Sequence, residues 1–227
     1  MDWSPLYLSL RIALSAMAGV VPLGLLAGWW LAQGRRFHGK LIVGTLLTLP
    51  IVLPPTAVGY MLLLSLGRGT PFGRWLNGSL GVHLIFTWQG AAAAAGIMAF
   101  PLFVRSAQAA FGAIQIELLE AARSSGASEW YLFYRIGLPL SARGLLSGFA
   151  LALGRALGEF GATLMVAGNI PGVTQTLPLA LYAQEQAGND HAALMFTIVL
   201  SVTAMVLVGF SDTLAYNRRN YATESTR

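Results

Sequence analysis

Hydrophobic residues fall along this chain in long blocks rather than in short alternations. Five stretches are apolar over most of their length: Ile12–Gln33, Leu41–Leu66, Leu84–Val104, Gly144–Gly168 and Ala192–Phe210. A helix rises 1.5 Å per residue, so about 20 such residues cross a hydrocarbon core of about 30 Å. The pattern therefore predicts an all-α integral membrane protein of five transmembrane helices, read as a single domain over residues 1–227. The connecting segments hold most of the charge. Met1–Leu10 lacks the basic start and small-residue cleavage site of a secretory signal, so the first stretch reads as a retained span, with Trp3 and Tyr7 suited to an interface.

Composition agrees with the pattern. The chain is 56% hydrophobic and 10% charged, against about 25% charged in soluble domains, and its mean hydropathy is +0.64. There is no cysteine, which excludes disulfides and thiolate metal sites. The net charge of +5 would suit a nucleic-acid binder, but the positions of the basic residues assign it to membrane topology instead. With the N-terminus outside, the inner segments carry Arg35, Arg36, Lys40, Arg105, Arg123, Arg135, Arg143, Arg218, Arg219 and Arg227. The outer ones carry only Arg11, Arg68 and Arg74. Positive charge collects on the cytoplasmic side, so the N-terminus is expected outside and the C-terminus inside, with lipid as the surroundings and no nucleic-acid partner.

The segment of about 105–143 is too regular for a plain connector. Residues 111–126 have the pattern of a short amphipathic helix, and Gly126 suits its stop, because glycine takes the left-handed conformation without strain. Ser128 is placed to cap a second short helix carrying Trp130, Tyr131, Phe133 and Tyr134. Leu138-Pro139 is expected to end it, since the residue before proline avoids the helical region. Within this segment Glu120-Ala121-Ala122, Gly126, Ile136, Leu138 and Pro139 follow the spacing E-A-A-x(3)-G-x(9)-I-x-L-P. That spacing resembles the coupling loop of ABC importer permeases at every fixed position. The resemblance implies that the helix before Gly126 docks in a cleft of a cytoplasmic ATPase subunit, with Ala121 and Ala122 allowing close approach and Glu120 offering a carboxylate.

Motifs for catalysis are missing. Gly34-Arg35-Arg36-Phe37-His38-Gly39-Lys40-Leu41 approaches a phosphate-binding loop, but Leu41 stands where a magnesium-binding hydroxyl is needed, and the stretch follows a membrane span rather than a buried strand. His38, His83 and His191 are scattered, and no nucleophile elbow occurs. An intramembrane enzyme would need a nucleophile–base pair or a metal cluster within the spans, and none is present in the sequence. The chain is therefore expected to hold no cofactor and no metal; ATP and magnesium belong to the partner ATPase.

Two spans carry candidate path residues. In span two, Pro50, Pro54 and Pro55 each remove a backbone donor. Irregular backbone at membrane depth is tolerated only inside protein or beside a watery cavity, so Pro54, Pro55 and Thr56 are expected at the translocation path or a subunit interface, or at a structural kink without substrate contact. In span four, Arg155 and Glu159 are four apart, hence on one helical face, with Thr163 one turn further. The pair reads either as an internal ion pair fixing helix packing or as part of the path. The G-x-x-x-G pairs Gly24/Gly28, Gly144/Gly148 and Gly154/Gly158 predict close helix packing. The outer segments Gly67–Val82 and Gly168–Pro178 are rich in turn formers, and read as ordinary loops or as the dock of a binding protein.

Within the importer family, the stretches 52–60, 155–163 and 172–178 are similar to the molybdate permease branch, with the double proline and threonine at 54–56 fitting it better than the sulfate branch. The resemblance implies a multi-pass protein of the bacterial inner membrane, a homodimer with two copies of an ATPase, a periplasmic molybdate-binding protein, and alternating access that moves molybdate or another tetrahedral oxyanion, sulfate or tungstate.

Overall fold

The computed structural model describes residues 3–33, 39–67, 69–81 and 83–224, and among them every regular element is helical. The basic turn 34–38, Arg68 and Arg227 lie outside the described residues, as do the side chains of Arg218 and Arg219. In order the helices are α1 Ser4–Ala32, α2 Lys40–Val52, α3 Pro55–Leu66, α4 Pro71–Leu80, α5 Trp88–Gly112, α6 Ile116–Ser124, α7 Glu129–Tyr131, α8 Leu138–Leu157, α9 Gly161–Ala167, α10 Leu177–Gln186 and α11 Asp190–Glu224. A π-helical segment, Leu132–Gly137, joins α7 to α8. Among the described residues four helices are long and apolar enough to cross a membrane: α1, α5, Glu129–Leu157 and the first 25 residues of α11. The pair α2 and α3, bent by 109° at Leu53-Pro54, makes a fifth if it is one broken span.

The central helix is α5, and its sequence explains why. It opens on a side-chain cap, the Thr87 hydroxyl accepting from the Gly90 N–H. Ala91, Ala94, Ala95 and Ala99 are fully buried along its length. Residues this small let neighbouring backbones come close, which in lipid replaces the hydrophobic drive that packs helices in water. Packed on it are α1, α8 and α9, with Ile12, Met17, Val20, Phe103, Ala152 and Leu157 in one buried cluster. The glycine prediction holds for α1. A Cβ at Gly24 would lie 2.5 Å from the Phe103 ring, and one at Gly28 would lie 2.6 Å from the Ala107 Cβ and 3.0 Å from the Gln108 nitrogen. Gly148 meets the Ser106 side chain in the same way, at 2.4 Å. It does not hold for the third pair: Gly154 has only an ordinary contact with Leu207, and Gly158 lies past the end of α8.

Four further expectations are corrected. First, α1 includes the first ten residues from Ser4 onward, and Arg11 sits within it, its guanidinium 3.9 Å above the Trp88 ring. Arg11 is thus held by a cation–π contact. Second, Leu138-Pro139 does not end a helix. Glu129–Leu157 runs on as one helix, and in the π segment the Leu138 N–H reaches back five residues to the Phe133 carbonyl. The widened turn absorbs the missing donor and ring of Pro139, which would otherwise clash with the preceding turn. Third, α5 continues through Arg105 to Gly112, so the segment between the third and fourth spans shortens to 113–128. Fourth, the segment 67–82 is not a plain loop, since α4 forms within it, whereas 168–176 is turn-rich irregular chain and α10 begins only at Leu177, burying Leu177, Pro178, Leu179 and Ala180. The Leu177 N–H donates to the buried Ser9 hydroxyl of α1.

Gly28→Val should cost about 1–3 kcal/mol by overpacking against α5. Gly209→Ala, at a position with open space around its Cβ, should be neutral. Thermal unfolding in detergent, followed by size-exclusion recovery, distinguishes the two.

Candidate functional site

The first site is the end of the bundle from which α6 projects. Here Ser125 is the C-cap and Gly126 follows it at φ 86°. The Ala127 N–H donates to the Ala122 carbonyl and the Gly126 N–H to the Arg123 carbonyl. These are the paired bonds of a Schellman stop, and they require the left-handed residue the sequence supplies. Ser128 caps the next helix, its hydroxyl accepting from the Tyr131 N–H. The Arg123 guanidinium bonds Glu129 at 2.9 Å and the Gln33 side chain, which ties the turn to the end of α1. Its hydrogen bond to Glu129 raises the Arg123 pKa, partial burial opposes this, and the charges of Glu129 and Glu120 add to the rise. Arg123 therefore stays charged throughout the working pH range. Glu120 and Ala121 are exposed and Ala122 is half-buried, so α6 turns an acidic face with small residues away from the bundle.

An aromatic anchor, in which Trp29 and Phe111 join the Trp130, Phe133 and Tyr134 seen in the sequence, holds this unit to the bundle. Trp29 stands edge-on to Phe111 and Phe133, with centroids 5.2 and 5.7 Å apart, and Trp130 packs on Phe133 and Tyr134. Gly137, the free position between Ile136 and Leu138, is where the Trp29 ring lies; a Cβ there would come within 2.6 Å of it. Leu138 packs on the same cluster, Ile136 is half-buried, and Pro139 is exposed.

The second site lies where two interrupted spans meet. At the start of α3, Pro54 and Pro55 have no N–H to leave unpaired, and the N–H groups of Ala57 and Val58 both turn back to the Pro54 carbonyl. Span four is also broken, which the sequence reading did not anticipate: α8 ends at Leu157 and α9 begins at Gly161. Glu159 sits in the gap, 2% exposed. One carboxylate oxygen accepts from the Ala162 N–H at 2.8 Å, capping α9. The other is 2.7 Å from Arg155 Nη1 in the last turn of α8. The carboxylate thus favours both helix ends, as an anion at an N-terminus and as the partner of a cation at a C-terminus. The expected pairing of Arg155 with Glu159 holds, although the pair is not on one continuous helix. Arg155 keeps a third of its side chain exposed.

The structure brings the two breaks together. A Cβ at Gly161 would lie 3.1 Å from both the Pro55 Cβ and the Thr56 Cγ2. One at Gly59 would lie 2.7 Å from the Ala162 Cα and 2.8 Å from the Met165 Cβ. Thr163, 1% exposed, has a buried hydroxyl without a hydrogen-bond partner. Pro54 and Thr56 are exposed at the edge of this contact, and Pro55 is half-buried. Gly59 and Gly161 are the residues missed; their signal in the sequence was only a glycine beside each break.

With this geometry in hand, comparison with known proteins is decisive. Residues 21–219 match the family of binding-protein-dependent transport system inner membrane components. The chain belongs to that family. Among relatives of this permease, the putative molybdenum transport system permease protein YvgM of Bacillus subtilis (strain 168) is 42% identical over 92% of this chain and 91% of its own. The molybdenum transport system permease protein ModB of Escherichia coli (strain K12) is 39% identical over 97% of this chain and 96% of its own. A bacterial ABC transporter involved in the import of the acidic polysaccharide alginate shares the fold, with a TM-score of 0.73 at 17% identity, covering 94% of this permease and 78% of that chain. The permease is a translocation subunit of the inner membrane rather than an enzyme, and it works with a binding protein. Among its described residues no cluster of metal-ligating side chains occurs.

Glu159→Ala removes the cap of α9 and the partner of Arg155 together, and should lower stability by about 1–3 kcal/mol. Glu159→Gln keeps an acceptor for the Ala162 N–H and should lose less. Equal loss in thermal unfolding of the two variants would contradict the capping role.

Proposed function

We propose that this permease carries molybdate into the cytoplasm as a homodimer, powered by two copies of a cytoplasmic ATPase and fed by a periplasmic molybdate-binding protein. The observation that carries the substrate is the roughly 40% identity, over nine-tenths of both chains, to molybdenum transport permeases of two distant bacteria. In this reading ATP and magnesium reside on the ATPase, and the C-terminus and α6 face the cytoplasm.

The coupling role goes to α6. Its exposed Glu120 and Ala121, with Ala122 beside them, form the surface offered to the ATPase, and Gly126 fixes the angle at which that surface stands. Ile136, Leu138 and Pro139 belong to the helix that passes motion into the bundle: through Phe133 and Trp29 the loop is packed on α1 and α5. The gate goes to the contact of the two broken spans, with Pro54, Pro55 and Thr56 on one side and Arg155, Glu159 and Thr163 on the other. Nucleotide binding draws the two α6 helices together, and the paired breaks are where the helices re-pack between the inward and outward states. Glu159 holds Arg155 in check, so a dianion passing the gate is met but not retained. High affinity is left to the binding protein.

Cells lacking this permease should not take up labelled molybdate, and restoring it should restore uptake that excess sulfate does not suppress. Glu120→Arg should abolish uptake while the protein still reaches the membrane. Full suppression by sulfate would move the substrate to that related dianion, and unimpaired uptake by the Glu120→Arg variant would remove α6 from the coupling role.

A further inference from the structure

Two cavities lie end to end in the valley between α1, α2 and α5. The one nearer the α6 end has a volume of about 360 Å³ and is lined by Lys40, Arg105, Gln108, Thr45, Gly44 and flanking leucines, with no carboxylate among its lining residues. Arg105 is held over it by Gln108 at 3.1 Å and Thr48 at 3.4 Å, and Lys40 donates to the Gln33 carbonyl at the end of α1. The other cavity begins at the next residue of α2. It has a volume of about 690 Å³ and an almost wholly apolar wall that includes Leu46, Leu47, Pro50, Gly19, Ala93 and Ile97.

We propose that this valley is a binding site for an anionic membrane phospholipid, with the phosphate headgroup between Lys40 and Arg105 and an acyl chain along the apolar groove. Three observations carry it. The charge is of one sign and sits only at the end where α6 emerges. The polar and apolar sections are contiguous and arranged in the order in which a phospholipid presents its parts. From Leu31 to Ser15, the limits of the valley on α1, the length is about 24 Å at 1.5 Å per residue. That exceeds one leaflet of a hydrocarbon core of about 30 Å, leaving room for a headgroup beyond the chain. A free oxyanion would use the cationic pocket alone and gives no reason for the groove beside it. A lipid here would wedge α2 against α1 and α5, and so set the position of the broken span that bears Pro54 and Pro55.

The test uses the complete importer, reconstituted in vesicles of mixed phosphatidylglycerol and phosphatidylcholine, extracted gently and weighed by native mass spectrometry. The wild type should retain phosphatidylglycerol in preference to phosphatidylcholine. Lys40→Gln/Arg105→Gln should lower that preference by about 10-fold or more, since each cation near a membrane surface contributes about 1 kcal/mol toward an anionic lipid. Gly19→Leu provides the second arm. Its Cβ enters open space, so the fold is kept while the groove is filled, and retention should fall with the cationic pocket intact. Unchanged phosphatidylglycerol retention in both variants would overturn the proposal. So would loss of labelled molybdate binding alone in the double variant, which would make the pocket an oxyanion vestibule. Leu46→Cys joining two copies of this chain by a disulfide would overturn it as well, by giving the groove to a second protomer.

Discussion

Hydrocarbon offers no partner for a free N–H or carbonyl, and this fold interrupts two of its spans all the same. Everything distinctive about the molecule follows from how those two interruptions are satisfied. Prolines at 54 and 55 begin α3 without donors to orphan, and the Pro54 carbonyl takes up the N–H groups of Ala57 and Val58. Glu159 caps α9 with one oxygen and holds Arg155 with the other. The breaks are also pressed against one another, which demands glycine at 59 and favours it at 161. One irregular segment is covered by the other, as membrane backbone requires.

The rest of the bundle is arranged to support that contact. The alanine-rich α5 is a smooth post against which α1, α8 and α9 pack closely, and α11 closes the far side, with Ser147 and Ser211 hydrogen-bonded at 2.7 Å between α8 and α11. At the α6 end the Trp29, Phe111 and Phe133 cluster fastens α6 and its following turn to α1 and α5. The helix Glu129–Leu157 runs from this anchor without a break to Arg155. In the proposed coupling, a displacement of α6 would be carried along this one helix to the gap that Glu159 spans. The π segment ahead of Pro139 is what keeps that element continuous.

The apolar blocks made the membrane class and approximate spans legible from sequence, because hydropathy over 20 residues is a coarse signal that tolerates local error. The turn at Gly126 was legible because only one residue type suits a left-handed stop flanked by these spacings. Legibility failed where two local rules competed. Pro139 was expected to end a helix, but tertiary anchoring through Gly137 and Trp29 carried the helix past it. Gly158-Glu159-Phe160 read as uninterrupted helix because the stretch is apolar around one charge, and the spacing of Arg155 and Glu159 matched a helical pair. Their contact survived for a different reason, since Glu159 reaches back across a gap. The helix α4 hid among turn formers, and α10, which starts where the second turn-forming stretch ends, owes its place to burial of its first turn and the bond from Leu177 to Ser9.

The central claim is that the contact between the two breaks opens during transport. The absence of native cysteine allows a direct measurement: Pro55→Cys/Gly161→Cys places two Cβ atoms about 3.1 Å apart, a few tenths of an ångström closer than the roughly 3.5–4.5 Å that a disulfide spans. Uptake of labelled molybdate is then followed in the reconstituted importer with this bond closed and after its reduction. The account predicts that the closed disulfide stops uptake and that reduction restores it. Uptake at the full rate with the disulfide closed would contradict it.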